Sequence, residues 1–414
     1  MQLNRRNFLK TTISASLLTG TMKCQQRKEH PKLTSQQLDK AGEEPILKTE
    51  FFTEPVKIES IELLYNGKYY FVRTRSTDGA VGIAVTDSRA SYLYPMLGKL
   101  IIPYFIGKDA RNLESLIDGV YVYNSNYKLS GIAFWCCVAW VEFSLLDLLG
   151  KVASKSVGEL LGGVVRNEVP IYVASGRRNT TPEEEVDLLL KSIEETGAKA
   201  VKFRVGGRMS KNADSIPGRT EALIPLARKK LGDEITLYAD SNGSYDVQKS
   251  IEIGKLLESI NAGFFEEPCP FDYLEETKQI ADALSIPIAC GEQETRVWGF
   301  RWMIQNNAVQ VVQPDLHYNG GFIRSKRVSK MADLVGIPTT LHITDGLSDV
   351  DMLHFASCTP NIGKFQEHKG SVSEISSWYD PPLQIKNGII NVPTGPGLGI
   401  KHDAELLRNA KKIV

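Results

Sequence analysis

The sequence predicts an α/β fold in which a (β/α)8 barrel follows a smaller α+β domain. After residue 163, short apolar stretches alternate with helical patterns, and eight such units fill about 200 residues, as in one (β/α)8 barrel. Before that point, apolar runs joined by Asn-Gly at 66–67 and Asp-Gly at 78–79 are typical of antiparallel strands. The predicted boundaries are 54–165 for the α+β domain, 166–375 for the barrel and 376–414 for a C-terminal tail.

The first 30 residues are predicted to be an export signal. They hold six Lys or Arg residues against one acidic residue, and the Arg5-Arg6 pair with the apolar residues behind it resembles the twin-arginine signal of proteins exported in a folded state. The apolar stretch is far shorter than the ~20 residues that span a bilayer, and a buried N-terminal helix is the alternative. We therefore expect a periplasmic protein, with Cys24 as a candidate lipidation site and residues 31–53 as a polar linker.

The composition is that of an ordinary globular protein. Lys plus Arg and Asp plus Glu both number 49 in 414 residues, so no overall charge directs the chain to nucleic acid or to an anionic membrane. The six cysteines have no metal-type spacing, and buried free thiols are expected. The strongly apolar stretch at 133–154 is typical of a buried helix, and no segment of the mature chain is predicted to span a membrane.

The predicted barrel strands follow one another in regular order. They lie at residues 169–175, 199–205, 234–240, 262–267, 286–292, 309–315, 337–342 and 362–367. A helical pattern such as 182–197 follows each strand. The Gly- and Pro-rich stretch at 388–400 is predicted to return to the N-terminal domain.

Charged or titratable residues stand at the C-terminal ends of strands 2 to 8, where barrels of this type build their active sites. Asp240, Glu266 and Glu292 are spaced 26 residues apart, which places them on neighbouring strands. Singly, each would be typical of a solvated loop, but three clustered carboxylates repel one another unless a cation binds them. A set of oxygen ligands that leaves positions open for water and substrate favours Mg²⁺.

Two further pairs of residues belong to the same predicted site. Asp315 and His342 end adjacent strands, and a carboxylate bonded to an imidazole is the arrangement that general acid–base catalysis needs. Lys202 and Arg204 share one face of strand 2 because side chains alternate along a strand, so both can point into the barrel mouth. A structural histidine and two surface cations are the alternatives.

Taken in order, these motifs resemble the mandelate racemase branch of the enolase superfamily. The similarity rests on "YADSNG", "FFEEPCPF", "CGEQE", "VVQPDLHYNGG" and "PTTLH", with "WVEFSLLDLLGK" and "PTGPGLGI" at the flanks, and covers residues 54–405. The resemblance implies a modified (β/α)8 TIM barrel, an N-terminal α+β capping domain completed by the C-terminal tail, and a homo-oligomer. It also implies a small-molecule carboxylate as substrate and no nucleic-acid partner.

The resemblance assigns a role to each residue of the site. Mg²⁺ held by the three acids would ligate the substrate carboxylate and stabilise the enediolate formed when the α-proton leaves. His342, oriented by Asp315, would be the base or acid. Glu367 would hydrogen-bond the substrate carboxylate, which requires a protonated side chain and hence a raised pKa.

The strand-2 motif departs from the Lys-x-Lys common in the family's racemases. Here it is Lys202-Phe203-Arg204, and an arginine is a poor base because its guanidinium stays protonated. A single competent base favours a lyase that dehydrates an acid sugar, an aldonate or aldarate, to its 2-keto-3-deoxy product. The alternatives are a racemase or epimerase of a 2-hydroxy acid or amino-acid derivative, with Lys202 as second base, and an exported binding protein without turnover.

Overall fold

Two sheets organise the part of the chain that the structure, a computed structural model, describes: residues 31–370, 372, 375–401 and 403–414. One is the antiparallel sheet of the N-terminal domain, and the other is the sheet of the barrel. The predicted export signal at 1–30, with Cys24, lies outside the described residues.

The N-terminal part combines one antiparallel sheet with helices. Its elements are α1 (Ser35–Glu43), β1 (Ile58–Tyr65), β2 (Tyr70–Ser76), β3 (Val81–Val85), α2 (Ala90–Met96), α3 (Ile102–Phe105), α4 (Leu113–Val122), α5 (Ile132–Ala153) and α6 (Val157–Leu160). Strands β1, β2 and β3 pair in sequence order, as the turn signals predict.

The barrel alternates strands and helices, which confirms the predicted fold class. Its elements are β4 (Glu168–Ala174), α7 (Pro182–Thr196), β5 (Ala200–Arg204), α8 (Arg219–Leu231), β6 (Thr236–Asp240), α9 (Val247–Ser259), β7 (Phe264–Glu266), α10 (Leu274–Ala283), β8 (Ile288–Cys290), α11 (Val297–Gln305), β9 (Val311–Val312), α12 (Phe322–Asp333), α13 (Asp349–Ser357) and β10 (Gln366–His368). Strands β4 to β9 pair in parallel, each with the next, and β10 pairs in parallel with β4 to close the ring.

The predicted seventh strand, residues 337–342, forms single bridges instead of a continuous ladder. Thr339 bridges Val312 on one side and Ile362 on the other. Pro338 has no N–H to donate, and the N–H of Leu341 donates to the Gln366 side chain at 2.9 Å. Side chains therefore replace part of the ladder, although the segment keeps its place in the ring.

Residues 31–53 do not form the expected linker. Thr34 and Gln37 form a reciprocal capping box at the start of α1, and the helix packs on α11 and α12 of the barrel. Leu38 is fully buried, and Asp39 pairs with Arg301. The linker prediction is wrong because one apolar face of this polar segment suffices to dock it.

Helix α5 is the core of the N-terminal domain. By length and composition it could cross a bilayer, but 89% of its most apolar window is buried, as expected of a core helix. Residues from Phe134 to Gly150 are all buried, and α5 packs mainly on β3 and β2. The cysteines Cys136, Cys137, Cys269, Cys290 and Cys358 are buried free thiols, as predicted.

The C-terminal tail joins both domains. It contains β11 (Ile385–Lys386), β12 (Ile389–Asn391), α14 (Asp403–Leu406) and β13 (Lys411–Lys412). Strand β12 pairs antiparallel with β4 of the barrel, whereas β13 pairs with β1. The predicted return to the N-terminal domain is therefore found only in the later part of the tail. There the backbone N–H of Leu398 also donates to Asp147 Oδ1 of α5 at 2.8 Å.

Candidate active site and metal centre

Three buried carboxylates meet at the C-terminal ends of consecutive barrel strands. The strand register pairs Arg204 with Asp240 and Asp240 with Glu266, so these side chains stand side by side. Glu292 follows β8 after Gly291, whose φ of +129° is one that side-chain-bearing residues rarely adopt. One oxygen from each of Asp240, Glu266 and Glu292 lies within 4.8 Å of the others.

The donor set of these three acids fits a hard divalent cation. All three side chains are buried, and Glu292 Oε2 accepts no hydrogen bond from the described residues. Burial, followed by the charge of Glu266, raises the pKa of Glu292. A cation bound to the carboxylate oxygens would offset the repulsion among the three acids, and a set of oxygen ligands suits Mg²⁺. The described residues thus form a site that could hold a metal ion.

Asn242 and Glu267 support the cluster from the loops behind β6 and β7. Asn242 Nδ2 lies 3.2 Å from Asp240 Oδ2, 3.3 Å from Glu267 Oε2 and 3.4 Å from Glu292 Oε1. Both residues have positive φ, +42° for Asn242 and +40° for Glu267. Burial, followed by Glu292 and Glu266, raises the pKa of Glu267 well above its ordinary value. Of the two neighbouring glutamates, Glu266 contributes an oxygen to the cluster, whereas Glu267 contacts it through the Asn242 side chain.

Lys202 and Arg204 both point into the acids, as predicted. Lys202 Nζ lies 2.8 Å from both carboxylate oxygens of Glu266 and 2.6 Å from Glu367 Oε1. Arg204 forms an ion pair with Asp240 and donates to the Ser175 carbonyl at 2.8 Å. Burial alone would lower the pKa of Lys202, but Glu266 and Glu367 raise it above the ordinary value. A protonated Lys202 in these pairs is a poor second base.

His342 and Asp315 form the expected dyad. His342 Nδ1 lies 2.7 Å from Asp315 Oδ2, and Asp315 Oδ1 accepts from the backbone N–H groups of His317 and Tyr318 at 2.7 and 2.9 Å. Burial raises the pKa of Asp315 to about 8, whereas burial followed by Lys369 holds the pKa of His342 well below its ordinary value. His342 Nε2 lies 3.4 Å from Glu292 Oε2 and so faces the acid cluster.

Glu367 is buried in the site, but not in the expected protonation state. Its Oε2 accepts from Ile343 N at 3.0 Å, and its carboxylate contacts the ammonium groups of Lys202 and Lys369 at 2.6 and 3.2 Å. Burial by itself would raise the pKa of Glu367, but these two cations outweigh it and hold the pKa well below the ordinary value. The expectation of a protonated hydrogen-bond donor is wrong, because two lysines stabilise the carboxylate.

Sequence reasoning missed two of three further side chains at this site, Lys369 and Gln313. Lys369 Nζ lies 2.8 Å from His342 Nε2, Gln313 Nε2 donates to Glu266 Oε2 at 2.9 Å, and Arg178 donates to the side chain of Asn242. The signal for two of them was alternation along a strand, because Gln313 lies two residues before Asp315 and Lys369 lies two residues after Glu367.

Comparisons with known proteins agree with this geometry. The sequence profile described as "Enolase C-terminal domain-like" matches residues 184–406. The arabinonate dehydratase of Saccharolobus solfataricus is 29% identical over 332 residues, which cover 78% of this chain and 85% of that protein.

Solved structures place the same fold over nearly the whole chain. A protein of Roseobacter denitrificans, provisionally described as a racemase, is 33% identical with a TM-score of 0.79, and the match covers 86% of this chain and 98% of that one. A mandelate racemase/muconate lactonizing protein of Paracoccus denitrificans, complexed with magnesium, is 26% identical with a TM-score of 0.78, covering 87% of this chain and 99% of that one. The chain belongs to the enolase superfamily, alongside the mandelate racemases and muconate lactonizing enzymes.

Proposed function

We propose that this protein is a Mg²⁺-dependent hydro-lyase that dehydrates an acid sugar, an aldonate or aldarate, to its 2-keto-3-deoxy acid. The observation that carries the proposal is the His342–Asp315 dyad, whose Nε2 faces the buried cluster of Asp240, Glu266 and Glu292. Similarity to an arabinonate dehydratase supports the substrate class, and similarity to a magnesium complex supports the ion.

Each residue of the metal cluster and of the His342–Asp315 dyad has a defined task in this proposal. Asp240, Glu266 and Glu292 would hold Mg²⁺, and the bound ion would supply a Lewis acid for the substrate carboxylate. His342 Nε2 takes the proton from the carbon next to that carboxylate. The carboxylate form of Asp315, favoured above its pKa of about 8, holds the ring with Nδ1–H toward itself and stabilises the imidazolium that forms.

Lys202 and Arg204 act as fixed cations in this proposal. Each contacts a carboxylate of the cluster, and neither contacts the His342 ring at hydrogen-bonding distance. Their positive charges favour binding of an anionic substrate and the negative charge that develops on it. The pairing of Lys202 with Glu266 and Glu367 leaves it unsuited to proton removal.

The decisive experiment is a panel of aldonates and aldarates, assayed for 2-keto-3-deoxy acids with Mg²⁺ and with EDTA. Turnover that depends on Mg²⁺ and is lost in His342→Asn supports the proposal. If no acid sugar is dehydrated by the Mg²⁺-loaded protein, the proposed function is wrong.

A racemase or epimerase is the second candidate, favoured by the 33% identical relative of Roseobacter denitrificans. Lys202 would then serve as the second base, on the face of the substrate opposite His342. Deuterium exchange at the α-carbon with inversion, but without loss of water, would support this function. Exchange that survives in Lys202→Met without inversion would assign the remaining proton transfer to His342 alone.

We also propose that the protein is exported through the twin-arginine route, on the strength of the Arg5-Arg6 motif. Fractionation of cells that express the full chain is expected to place it in the periplasm. Replacing both arginines by lysine is expected to retain the protein inside the cell, and an unchanged distribution would contradict the proposal.

A further inference from the structure

Lys369 is the cation closest to the reacting nitrogen of His342. It lies one residue beyond β10, and its Nζ is 2.8 Å from His342 Nε2, 2.6 Å from the Ile343 carbonyl and 3.2 Å from Glu367 Oε2. Its side chain is one-fifth exposed, whereas Lys202 is fully buried. An ammonium group has only N–H donors, so its contact with Nε2 requires that Nε2 carry the lone pair and Nδ1 the proton.

Dehydration needs a proton donor as well as a base, because hydroxide is a poor leaving group. His342 becomes an imidazolium when it takes the α-proton and is then one candidate donor, but a second donor beside it would let His342 keep that proton until the water has left. Arg204 does not release a proton at ordinary pH, and Lys202 is occupied by Glu266 and Glu367. Among the described residues, Lys369 is the lysine that contacts His342 of the His342–Asp315 dyad.

We propose that Lys369 is a further catalytic residue, the general acid that protonates the departing β-hydroxyl; this rests on the proposed function. His342 Nε2 takes the α-proton, and the C–H electron pair enters the enediolate. That pair then forms the double bond between the α- and β-carbons while the β C–O bond breaks. The oxygen leaves as water with a proton from Lys369, and the enol product becomes the keto acid by moving its own hydroxyl proton to the β-carbon.

The same contact resets the site. After elimination, His342 is protonated and Lys369 is a neutral amine. Their nitrogens are 2.8 Å apart, which is within hydrogen-bond distance, so the proton can pass directly from Nε2 to Nζ. Both residues then return to their starting states without exchange with bulk solvent. Glu367, 3.2 Å from Nζ, keeps the ammonium at the mouth of the site between turnovers.

The test separates proton removal from loss of water in Lys369→Gln. Two rates are measured in D₂O with an acid sugar that the wild type dehydrates. One is α-hydrogen exchange, followed by NMR, and the other is formation of the 2-keto-3-deoxy acid. We expect kcat for dehydration to fall about 10²–10⁴-fold, the usual contribution of a general acid, while α-exchange persists within about tenfold. A substrate with fluorine in place of the β-hydroxyl should release fluoride at nearly the wild-type rate, because fluoride leaves without protonation.

Two variants control for charge and folding. Lys364→Gln removes an exposed lysine from the same segment and is expected to leave all three rates unchanged. Lys369→Arg keeps the charge but gives up no proton, and it should resemble Lys369→Gln in dehydration. If Lys369→Arg dehydrates normally, or if exchange, dehydration and fluoride release all fall together in Lys369→Gln, the catalytic assignment is overturned.

Failure of this inference differs from failure of the proposed function. If the wild type dehydrates acid sugars and Lys369→Gln does so equally well, only the role of Lys369 is refuted. If the wild type exchanges the α-hydrogen of its substrates but dehydrates none, the hydro-lyase proposal fails and the general-acid role fails with it.

Discussion

Replacing Asp315 by Asn should disable His342 while leaving the fold intact. Asp315 Oδ1 accepts two backbone N–H groups, from His317 and Tyr318 at 2.7 and 2.9 Å, and Oδ2 faces His342 Nδ1 and the Thr344 hydroxyl at 2.7 and 3.1 Å. The backbone donors cannot reverse. An asparagine therefore keeps its carbonyl oxygen toward them and turns its NH₂ group toward His342.

The magnitude follows from this geometry. In the opposite orientation, the NH₂ group of the asparagine would face the two buried backbone N–H groups. Each buried donor left without an acceptor would then cost about 1–3 kcal/mol of stability. The NH₂ group facing Nδ1 instead makes Nδ1 the acceptor and puts the proton on Nε2, which can then no longer act as a base. We expect α-proton exchange to fall about 10⁴-fold, which is the loss seen when a catalytic histidine is held in the wrong tautomer. At 1.36 kcal/mol per tenfold change, this corresponds to about 5 kcal/mol of activation free energy.

The assay is α-hydrogen exchange in D₂O, followed by NMR beside the melting temperature of each variant. Thr344→Val is the matched control, because it removes a hydrogen bond to the same oxygen of Asp315 without changing the tautomer. It should lower exchange by no more than about 10–100-fold, since a hydrogen bond to a charged group contributes about 1.5–3 kcal/mol. Exchange in Asp315→Asn within tenfold of the wild type would refute the tautomer argument.

Further predictions concern the metal and the stability of the fold. Glu266→Gln should weaken Mg²⁺ binding, measured by calorimetry, about 10–100-fold or more, since loss of a residue that only hydrogen-bonds a metal ligand already has that effect. A wild type whose activity resists EDTA would contradict this prediction. Gly82→Ala should lower the free energy of unfolding by about 1–3 kcal/mol, because its Cβ would overlap the Ser144 carbonyl, whereas exposed Gly176→Ala should change it by less than about 0.5 kcal/mol in the same denaturant titration. Leu38→Ala should release α1 to proteolysis, since burial of this side chain is worth about 2–5 kcal/mol; equal cleavage in the wild type or in exposed Gln36→Ala would contradict this.

The barrel and the positions of its charged strand ends could be predicted because both follow from periodicity. A strand of the barrel is a short apolar run, and a charged residue directly behind it must stand at the rim. The same reasoning predicts one site for Asp240, Glu266, Glu292, Asp315 and His342, and the structure brings these side chains together. The missing ladder of residues 337–342 could not be predicted, because the competition came from side chains of another strand. Gln366 accepts from the backbone N–H of Leu341 within the segment, and Glu367 accepts from that of Ile343 directly after it.

Protonation states were beyond sequence reasoning for a related physical reason. A pKa depends on which charges lie within a few ångströms, and alternation along a strand gives a face but not a distance. Glu367 was expected to be protonated, whereas Lys202 and Lys369 hold it as a carboxylate. The docking of α1 was missed likewise, because a polar segment with few buried residues has a weak hydrophobic pattern, and Leu38 alone does not distinguish a helix from a linker.

The charges that contact one another explain why metal and substrate binding should be coupled at this site. The contacting carboxylates are those of Asp240, Glu266, Glu292 and Glu367, and the contacting cations are Lys202, Arg204 and Lys369. Four negative and three positive groups leave one net negative charge, and the Asp315 carboxylate beside His342 adds a second, so the site repels an anionic substrate. A divalent cation offsets both of these charges, so that a substrate carboxylate no longer meets a net negative site. Because an uncompensated charge in a buried site is unfavourable, each of the two ligands should strengthen the binding of the other.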